Sequence, residues 1–216
     1  MTTAIDPKQE QDAHKFDNLI GEVSQAEKDE AFDKIIKARV KMLMSHGFFG
    51  NLATRLKIAD ASEWCPTAAT DGRYLYYNAK FVNMLSISKL VFLIAHEVLH
   101  NVYDHMGRRG DRHPRLWNIA NDFCVNGDLV EGNVGAMIDE FPICHDWQYR
   151  GKISEEIYDE LYEKAKDEFE NTKGYVFIGE GNIKDHYGSK PMSINWELNE
   201  PMPNYLWTEA AKLSIG

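Results

Sequence analysis

The stretch Leu93-Ile94-Ala95-His96-Glu97-Val98-Leu99-His100 places two histidines four residues apart, with a glutamate directly after the first. On an α-helix, positions four residues apart differ by only about 40° around the axis, so both imidazoles can reach one cation. A histidine pair with this spacing and a following glutamate is typical of zinc-binding helices in metallopeptidases. We therefore predict that His96 and His100 bind Zn²⁺ and that Glu97 is a general base.

The residues around this motif predict a helix that begins after Ser86 or Ser88 and continues to about Met106. Its apolar residues share one side, whereas the two motif histidines lie near the opposite side together with Tyr103. The apolar set is Val91, Ile94, Ala95, Val98 and Val102. We expect both histidine side chains to point away from the core and to face a cleft.

A catalytic zinc site needs a third protein ligand and one open position. Asp122 lies 22 residues after His100, on a second helix predicted from Pro114 to near Gly132, and an antiparallel return would bring its carboxylate to the cation. His105 is the alternative third ligand. On a continuous helix it would point away from the metal, so this alternative requires a helix break, and we prefer Asp122.

Asn118, Asp122 and Asn126 recur every four residues along the second helix. Asn and Asp are poorer helix formers than the Lys, Glu and Gln that an ordinary solvated face would carry, which indicates local hydrogen-bonding roles. We predict that Asn118 and Asn126 support the zinc ligands by hydrogen bonds.

The rest of the chain predicts a polar N-terminal arm over residues 1–30, a catalytic domain over 31–170 and a C-terminal strap or linker over 171–216. A helix with one buried face is expected over 31–44, from the spacing of its larger apolar residues, and a strand over 48–58. The Asp71-Gly72 pair predicts a hairpin turn, and Ser154 a helix start. A further short strand is expected over 175–178. The apolar residues of the 31–44 helix are Phe32, Ile35, Ile36, Val40, Leu43 and Met44.

Composition narrows the possible partners. The 216 residues carry 24 Lys and Arg against 34 Asp and Glu, a formal net charge of −10, which argues against nucleic acid as a partner. The longest apolar run is too short to cross a bilayer, so no membrane partner is expected. Three cysteines without an apolar leader indicate reduced thiols, and we expect a cytoplasmic protein.

Four blocks of sequence resemble the metallopeptidase domain that precedes a von Willebrand factor A-like domain in many bacterial and phage proteins. The resemblance covers roughly residues 65–165. It implies a zincin-like fold and a zinc-dependent peptidase activity, and it marks His105 and Asn126 as site candidates. The blocks are 67–72 with Tyr77-Asn78, 95–100 with His105 and Arg108, 116–120 with Asp122 and Asn126, and 153–158.

We therefore expect an α+β, zincin-like fold, in which a small, partly antiparallel sheet packs on the helix that carries His96 and His100. The predicted activity is hydrolysis of a peptide or protein substrate by a zinc-activated water with Glu97 as the base. The hairpin strand before the helix is expected to hold an extended substrate by strand addition, through Arg73, Tyr74, Tyr76 and Asn78. The alternative is a catalytically silent, zinc-stabilised adaptor module that docks a partner protein.

Overall fold

The structure, a computed structural model, describes residues 19–171, 181–187 and 193–198 of the chain. Within these ranges the fold is α+β and mostly helical, and the chain divides after Glu160 into two compact units. The helices are α1 (Gln25–Ser45), α2 (Gly47–Arg55), α3 (Ala79–Met84), α4 (Ile87–Val102), α5 (His105–Arg108), α6 (Pro114–Glu131) and α7 (Ser154–Asn171). The strands are β1 (Lys57–Asp60), β2 (Ala68–Thr70), β3 (Tyr74–Tyr77), β4 (Gly181–Tyr187) and β5 (Ser193–Leu198).

The first unit contains a three-stranded mixed sheet in the order β1-β3-β2. β3 pairs in parallel with β1 and antiparallel with β2, so it is the central strand and β2 is an edge. The predicted hairpin is present, with Gly72 at φ +85° in the turn, where a side chain would be strained. In the second unit β4 pairs antiparallel with β5.

Helix α4 is the centre of the core. Leu90, Ile94 and Val98 on its apolar side are at most 2% exposed, and the helix packs against α1, α2, α6 and β2. Its N-terminus is capped as predicted, because Ser86 Oγ accepts a hydrogen bond from the Lys89 backbone N–H at 3.3 Å. This packing fixes the direction in which the opposite side, with the motif histidines, points.

The N-terminal region differs from the sequence prediction in three ways. Helix α1 begins at Gln25, inside the predicted arm, because Ser24 and Glu27 form a reciprocal capping box. The predicted strand over 48–58 is wrong, since most of it is helix α2 and only its end belongs to β1. The predicted buried face of α1 is also largely wrong, because the side that packs inward carries Ala31, Ile35, Ala38 and Met42.

Close packing of α1 against its neighbours favours small apolar residues on its inward side. A Cβ atom added to Gly50 of α2 would lie 2.6 Å from Leu43 Cα of α1, so the two helix backbones approach closely. Small side chains such as Ala31 and Ala38 fit the inward side of a helix packed this tightly. The larger residues Phe32, Ile36, Val40, Leu43 and Met44 remain exposed.

A loop after α6 closes one side of α4. Gly135 adopts φ +76°, and an added Cβ would lie 2.6 Å from both Phe92 N and Ser88 O. The Ala136 N–H donates to Ser88 O at 3.0 Å, so the loop is fixed against the first turns of α4. The expected strand at 175–178 lies outside the described residues. In the described part of the chain, no helix is long and apolar enough to cross a membrane.

Candidate metal centre

The motif histidines and Asp122 meet between α4 and α6. His96 Nε2 lies 2.9 Å from His100 Nε2, and Asp122 Oδ1 lies 3.5 and 3.3 Å from these two nitrogens. Within the described ranges, these are the three residues whose possible ligand atoms lie close enough together to bind one ion. The structure thus brings together the three residues that the sequence predicted as ligands.

The three atoms fit a tetrahedral cation. Two imidazole nitrogens and one carboxylate oxygen form a donor set that zinc takes in proteins, at distances of about 2.0–2.2 Å. Neighbouring ligands of such a tetrahedron lie roughly 3.3 Å apart, which matches the observed separations of 2.9, 3.3 and 3.5 Å. A single ion can therefore contact all three atoms and retain a fourth position toward the cavity.

His105 is brought close to the cluster, on its far side. Helix α4 ends at Val102, and Asp104 adopts a left-handed conformation with φ +50°, so the chain turns before α5 begins. The predicted continuous helix is therefore wrong at this point. Because of this break, His105 lies next to His100, and the Nδ1 atoms of the two residues are 3.0 Å apart. His105 thus meets the nitrogen of His100 that faces away from Asp122.

This contact fixes the tautomers of the two histidines when His100 Nε2 is a ligand. A coordinating Nε2 must offer its lone pair, so the proton of His100 resides on Nδ1 and is donated to His105 Nδ1. His105 then carries its proton on Nε2, which lies 3.0 Å from Ser154 Oγ. Trp117 Nε1 donates to the His105 carbonyl at 2.8 Å and holds the backbone in place.

The predicted supporting residues contact the cluster. Asn126 Oδ1 lies 2.8 Å from His96 Nδ1, and its Nδ2 donates to the Cys144 carbonyl at 3.0 Å. The amide orientation thereby favours an N–H at His96 Nδ1 and a lone pair at Nε2. Asn118 Nδ2 donates to Asp122 Oδ2 at 3.2 Å, which leaves Oδ1 to face the histidines.

Charge coupling within the cluster shifts the pKa values of its members. Burial lowers the pKa of His96, but hydrogen bonding to Asp122 and the nearby carboxylates outweigh it and raise the value to about 9. Burial raises the pKa of Asp122, but hydrogen bonds from His100 and His96 dominate and lower it to about 2. Without metal, His96 and Asp122 therefore form an ion pair at neutral pH.

Burial shifts the pKa values of Glu97 and His105 in opposite directions. Glu97 is only 6% exposed, and burial raises the pKa of its carboxyl group. Burial, with a smaller effect of the neighbouring His100, lowers the pKa of His105 to about 3, so its ring is neutral at physiological pH. A neutral ring is the form that the hydrogen-bonded chain to Ser154 requires.

A cavity of about 700 Å³ opens onto the cluster and onto Glu97. Its size is within the range of small-molecule and peptide sites. Residues 67–70, which include the edge strand β2, line one side, and Asn101 Nδ2 donates to Thr70 Oγ1 at 3.0 Å, which ties the strand to α4. The hairpin therefore lies beside the site.

The strand that borders the cavity differs from the one predicted to hold substrate. Strand β3 contains Tyr74 and Tyr76, and Arg73 and Asn78 adjoin its two ends. It has no free backbone edge, because β1 and β2 pair with its two sides. Asn78 is fully buried and donates to the carbonyls of Leu19 and Cys65. Strand addition at β3 is thus excluded by its pairing, and β2 is the edge strand that borders the cavity.

The wall of the cavity next to the first turns of α4 is apolar. Phe92 and Leu93 precede His96 by about one turn, and Phe81 packs on Phe141 with ring centroids 5.4 Å apart. These side chains line the cavity although each is at most 9% exposed. They form an apolar part of the cavity wall beside His96, His100 and Asp122.

Asn121 is a cavity residue that the sequence reasoning missed. Its side chain is 3% exposed, lines the cavity, and its Oδ1 has no hydrogen-bond partner among the described residues. A buried amide oxygen without a partner is uncommon and calls for an explanation such as a ligand. The available signal was another helix-disfavouring Asn next to Asp122, off the Asn118-Asp122-Asn126 stripe.

Comparison with known protein families matches residues 30–190 to a family described as putative metallopeptidase domain. The matched range covers most of the chain and contains the possible ligands His96, His100 and Asp122. It also contains Glu97 and the two asparagines that contact these residues. No curated protein and no solved structure gives a significant match.

Proposed function

The chain belongs to the family described as putative metallopeptidase domain, and from this membership we propose that it is a zinc-dependent peptidase with Glu97 as its general base. The observation that carries the proposal is the gathering of His96 Nε2, His100 Nε2 and Asp122 Oδ1 within 3.5 Å of one another at the wall of a peptide-sized cavity. These three atoms would hold the ion. Zn²⁺ bound there would supply Lewis-acid polarisation of a peptide carbonyl and would lower the pKa of a water molecule.

Glu97 performs the proton transfers in this proposal. Its carboxylate lines the cavity next to the histidines and takes a proton from the attacking water, then gives it to the leaving amine nitrogen. Burial raises its pKa above the ordinary carboxyl value, which makes Glu97 a stronger base for the proton of the attacking water.

The substrate in this proposal is an extended peptide that adds to the edge of β2. The Asn78 N–H donates to the Thr67 carbonyl at 2.8 Å, and hydrogen-bond direction alternates along an antiparallel strand. The N–H and carbonyl of Ala68 therefore point away from β3, toward an added strand. A bulky apolar side chain of the same peptide would contact the apolar part of the cavity wall that includes Phe92 and Phe141.

The test combines metal analysis with a cleavage assay on unfolded protein and peptide mixtures, read by mass spectrometry. Wild-type protein loaded with one zinc per chain is expected to cleave them. Glu97→Gln is expected to keep the zinc and lose the cleavage, since it preserves the shape and removes the base. Glu63→Gln, at an exposed glutamate, is the matched control and is expected to retain both.

The outcomes separate the candidate functions. Stoichiometric zinc without cleavage of any unfolded substrate would favour the silent adaptor over the peptidase. Cleavage that persists in Glu97→Gln would overturn the assignment of the base. A protein that takes up no metal would refute the metal site itself.

A further inference from the structure

The side-chain amide of Asn121 is a polar group of the cavity wall that the metal site does not use. Three asparagines of α6 line the cavity. Asn118 donates to Asp122 and Asn126 donates to the Cys144 carbonyl, so both have partners. Asn121 Oδ1 has none among the described residues, although its side chain is only 3% exposed. Burial of this acceptor is costly unless a ligand supplies a donor.

The position of Asn121 places this acceptor close to the metal cluster. Asn121 directly precedes Asp122, so the Cα atoms of the two residues are about 3.8 Å apart. Residues of α6 and of β2 line the same cavity, and both elements contact α4. A ligand that contacts Asn121 therefore occupies the cavity that Glu97 and the edge of β2 also line.

An extended peptide bound along β2 would have one row of backbone groups without partners on that strand. The N–H and carbonyl groups of successive residues in a strand point alternately to its two edges. In the arrangement proposed above, one row meets the N–H and carbonyl of Ala68, and the other row faces away from β2. The second row contains N–H donors in nearly every peptide, because each residue except proline has one.

We propose that Asn121 Oδ1 accepts a hydrogen bond from a main-chain N–H in the second row of the substrate, an inference that rests on the peptide site proposed above. The χ2 torsion of an asparagine has a broad energy profile, so the oxygen can turn toward an N–H that enters the cavity. Ala68 and Asn121 then hold the two edges of one peptide. Because Asn121 contacts the main chain, it strengthens binding without selecting particular side chains.

Peptide binding to the zinc-loaded Glu97→Gln protein tests this inference without a cleavage step. The probes are short, overlapping, fluorescently labelled peptides that cover the sequence of casein, and fluorescence anisotropy gives each Kd. Adding Asn121→Leu is expected to raise the Kd about 3–10-fold for every peptide that binds, the effect of one neutral hydrogen bond. Adding Asn83→Leu instead is the matched control and is expected to leave Kd unchanged. Asn83 Oδ1 is also buried without a partner, but Asn83 is not a residue that lines the cavity.

Replacement of single backbone N–H groups by ester oxygens in a bound peptide identifies the partner of Asn121. At one position the ester is expected to raise the Kd of the Glu97→Gln protein about 3–10-fold. At that position the ester should have no further effect once Asn121→Leu is present, because both changes remove the same hydrogen bond. At the position that pairs with Ala68, the ester should weaken binding equally in both proteins.

The outcomes distinguish this inference from the peptidase proposal. An unchanged Kd in Asn121→Leu, or effects of ester and Asn121→Leu that multiply at every position, overturns the inference even if the wild type cleaves peptides. A loss confined to peptides with one type of side chain also overturns it, as does zinc-loaded protein that binds no peptide. Coupled effects in a protein whose wild type cleaves nothing support the inference and refute the peptidase.

Discussion

The Nδ1 atoms of His100 and His105 lie 3.0 Å apart, although the two residues belong to different helices separated by a left-handed turn at Asp104. His105 occupies the side of His100 that is opposite the metal cluster. In the arrangement we propose, its role is to orient His100 and to fix its tautomer. Asp122, which lies on the cluster side of both motif histidines, is the third ligand in the arrangement we propose.

Metal content separates these two roles. His100→Ala and Asp122→Ala remove one of three ligands and are expected to lose stoichiometric zinc, as measured by elemental analysis after gel filtration. His105→Ala is expected to retain zinc with an affinity about 10–100-fold lower, as found when supporting hydrogen bonds to ligands are removed. Loss of zinc in His105→Ala with retention in Asp122→Ala would reverse the two assignments.

The affinity for zinc is expected to rise with pH. The pKa of His96 is raised to about 9 in the metal-free protein, so at pH 7 zinc must displace one proton from it. Affinity should therefore increase about tenfold per pH unit below pH 9 and level off above it. Competition with a chelator of known pH dependence measures this slope, and an affinity that is constant from pH 6.5 to 8.5 would contradict the prediction.

The same shift has a consequence for the stability of the metal-free protein. Because the folded-state pKa of His96 lies above its unfolded value of 6.5, its ion pair with Asp122 stabilises the fold fully between pH 6.5 and the ordinary Asp122 pKa of 3.8. That contribution is lost as the pH rises through 9. Asp122→Asn removes the partner carboxylate, so it is the control in which this loss on the alkaline side is expected to be absent.

Substitution of one strand residue tests where the substrate lies. Ala68→Pro removes the N–H that points away from β3 and is tolerated on an edge strand. Loss of one neutral hydrogen bond to substrate is expected to lower kcat/KM about 3–10-fold, without loss of zinc. Ala68→Ser keeps the N–H and is expected to behave as wild type. Equal activity of both variants would show that peptides do not use this edge.

The unpaired amide of Asn121 provides a further prediction. Asn121→Leu replaces a buried side chain whose Oδ1 has no described partner with an apolar one of similar size. We expect the free energy of unfolding to rise by about 1 kcal/mol, because an unsatisfied buried group is removed. If the amide binds substrate, kcat/KM should fall about 3–10-fold while zinc content is unchanged. Unfolding by urea and the cleavage assay measure the two effects, and a variant with lower stability and full activity would disprove both.

The sequence predicted the site better than the path of the chain around it. The spacing of His96 and His100, and the Asn118-Asp122-Asn126 stripe, are local helical relationships, and their placement together follows from one short antiparallel return. The position of His105 could not be predicted in this way. It depends on a single residue, Asp104, whose positive φ ends the helix and which carries no strong sequence signal.

The face of α1 that packs inward also escaped prediction. Both of its apolar stripes have helical periodicity, and the stripe with the larger side chains was the more conspicuous. The choice between them depends on how closely neighbouring elements approach, and the small residues Ala31 and Ala38 on the inward side permit a close approach. Periodicity alone contains no information on that distance.

By itself the sequence determined the starts of α4, α6 and α7, the hairpin turn and the types of side chain that share each face of α4 and α6, because these follow from the backbone period and from local capping. The tertiary structure decided which nitrogen of His100 meets His105, which edge strand of the sheet borders the cavity, and which face of α1 packs inward. Each of these depends on contacts between residues distant in the chain, whose geometry is set by close packing rather than by local preference.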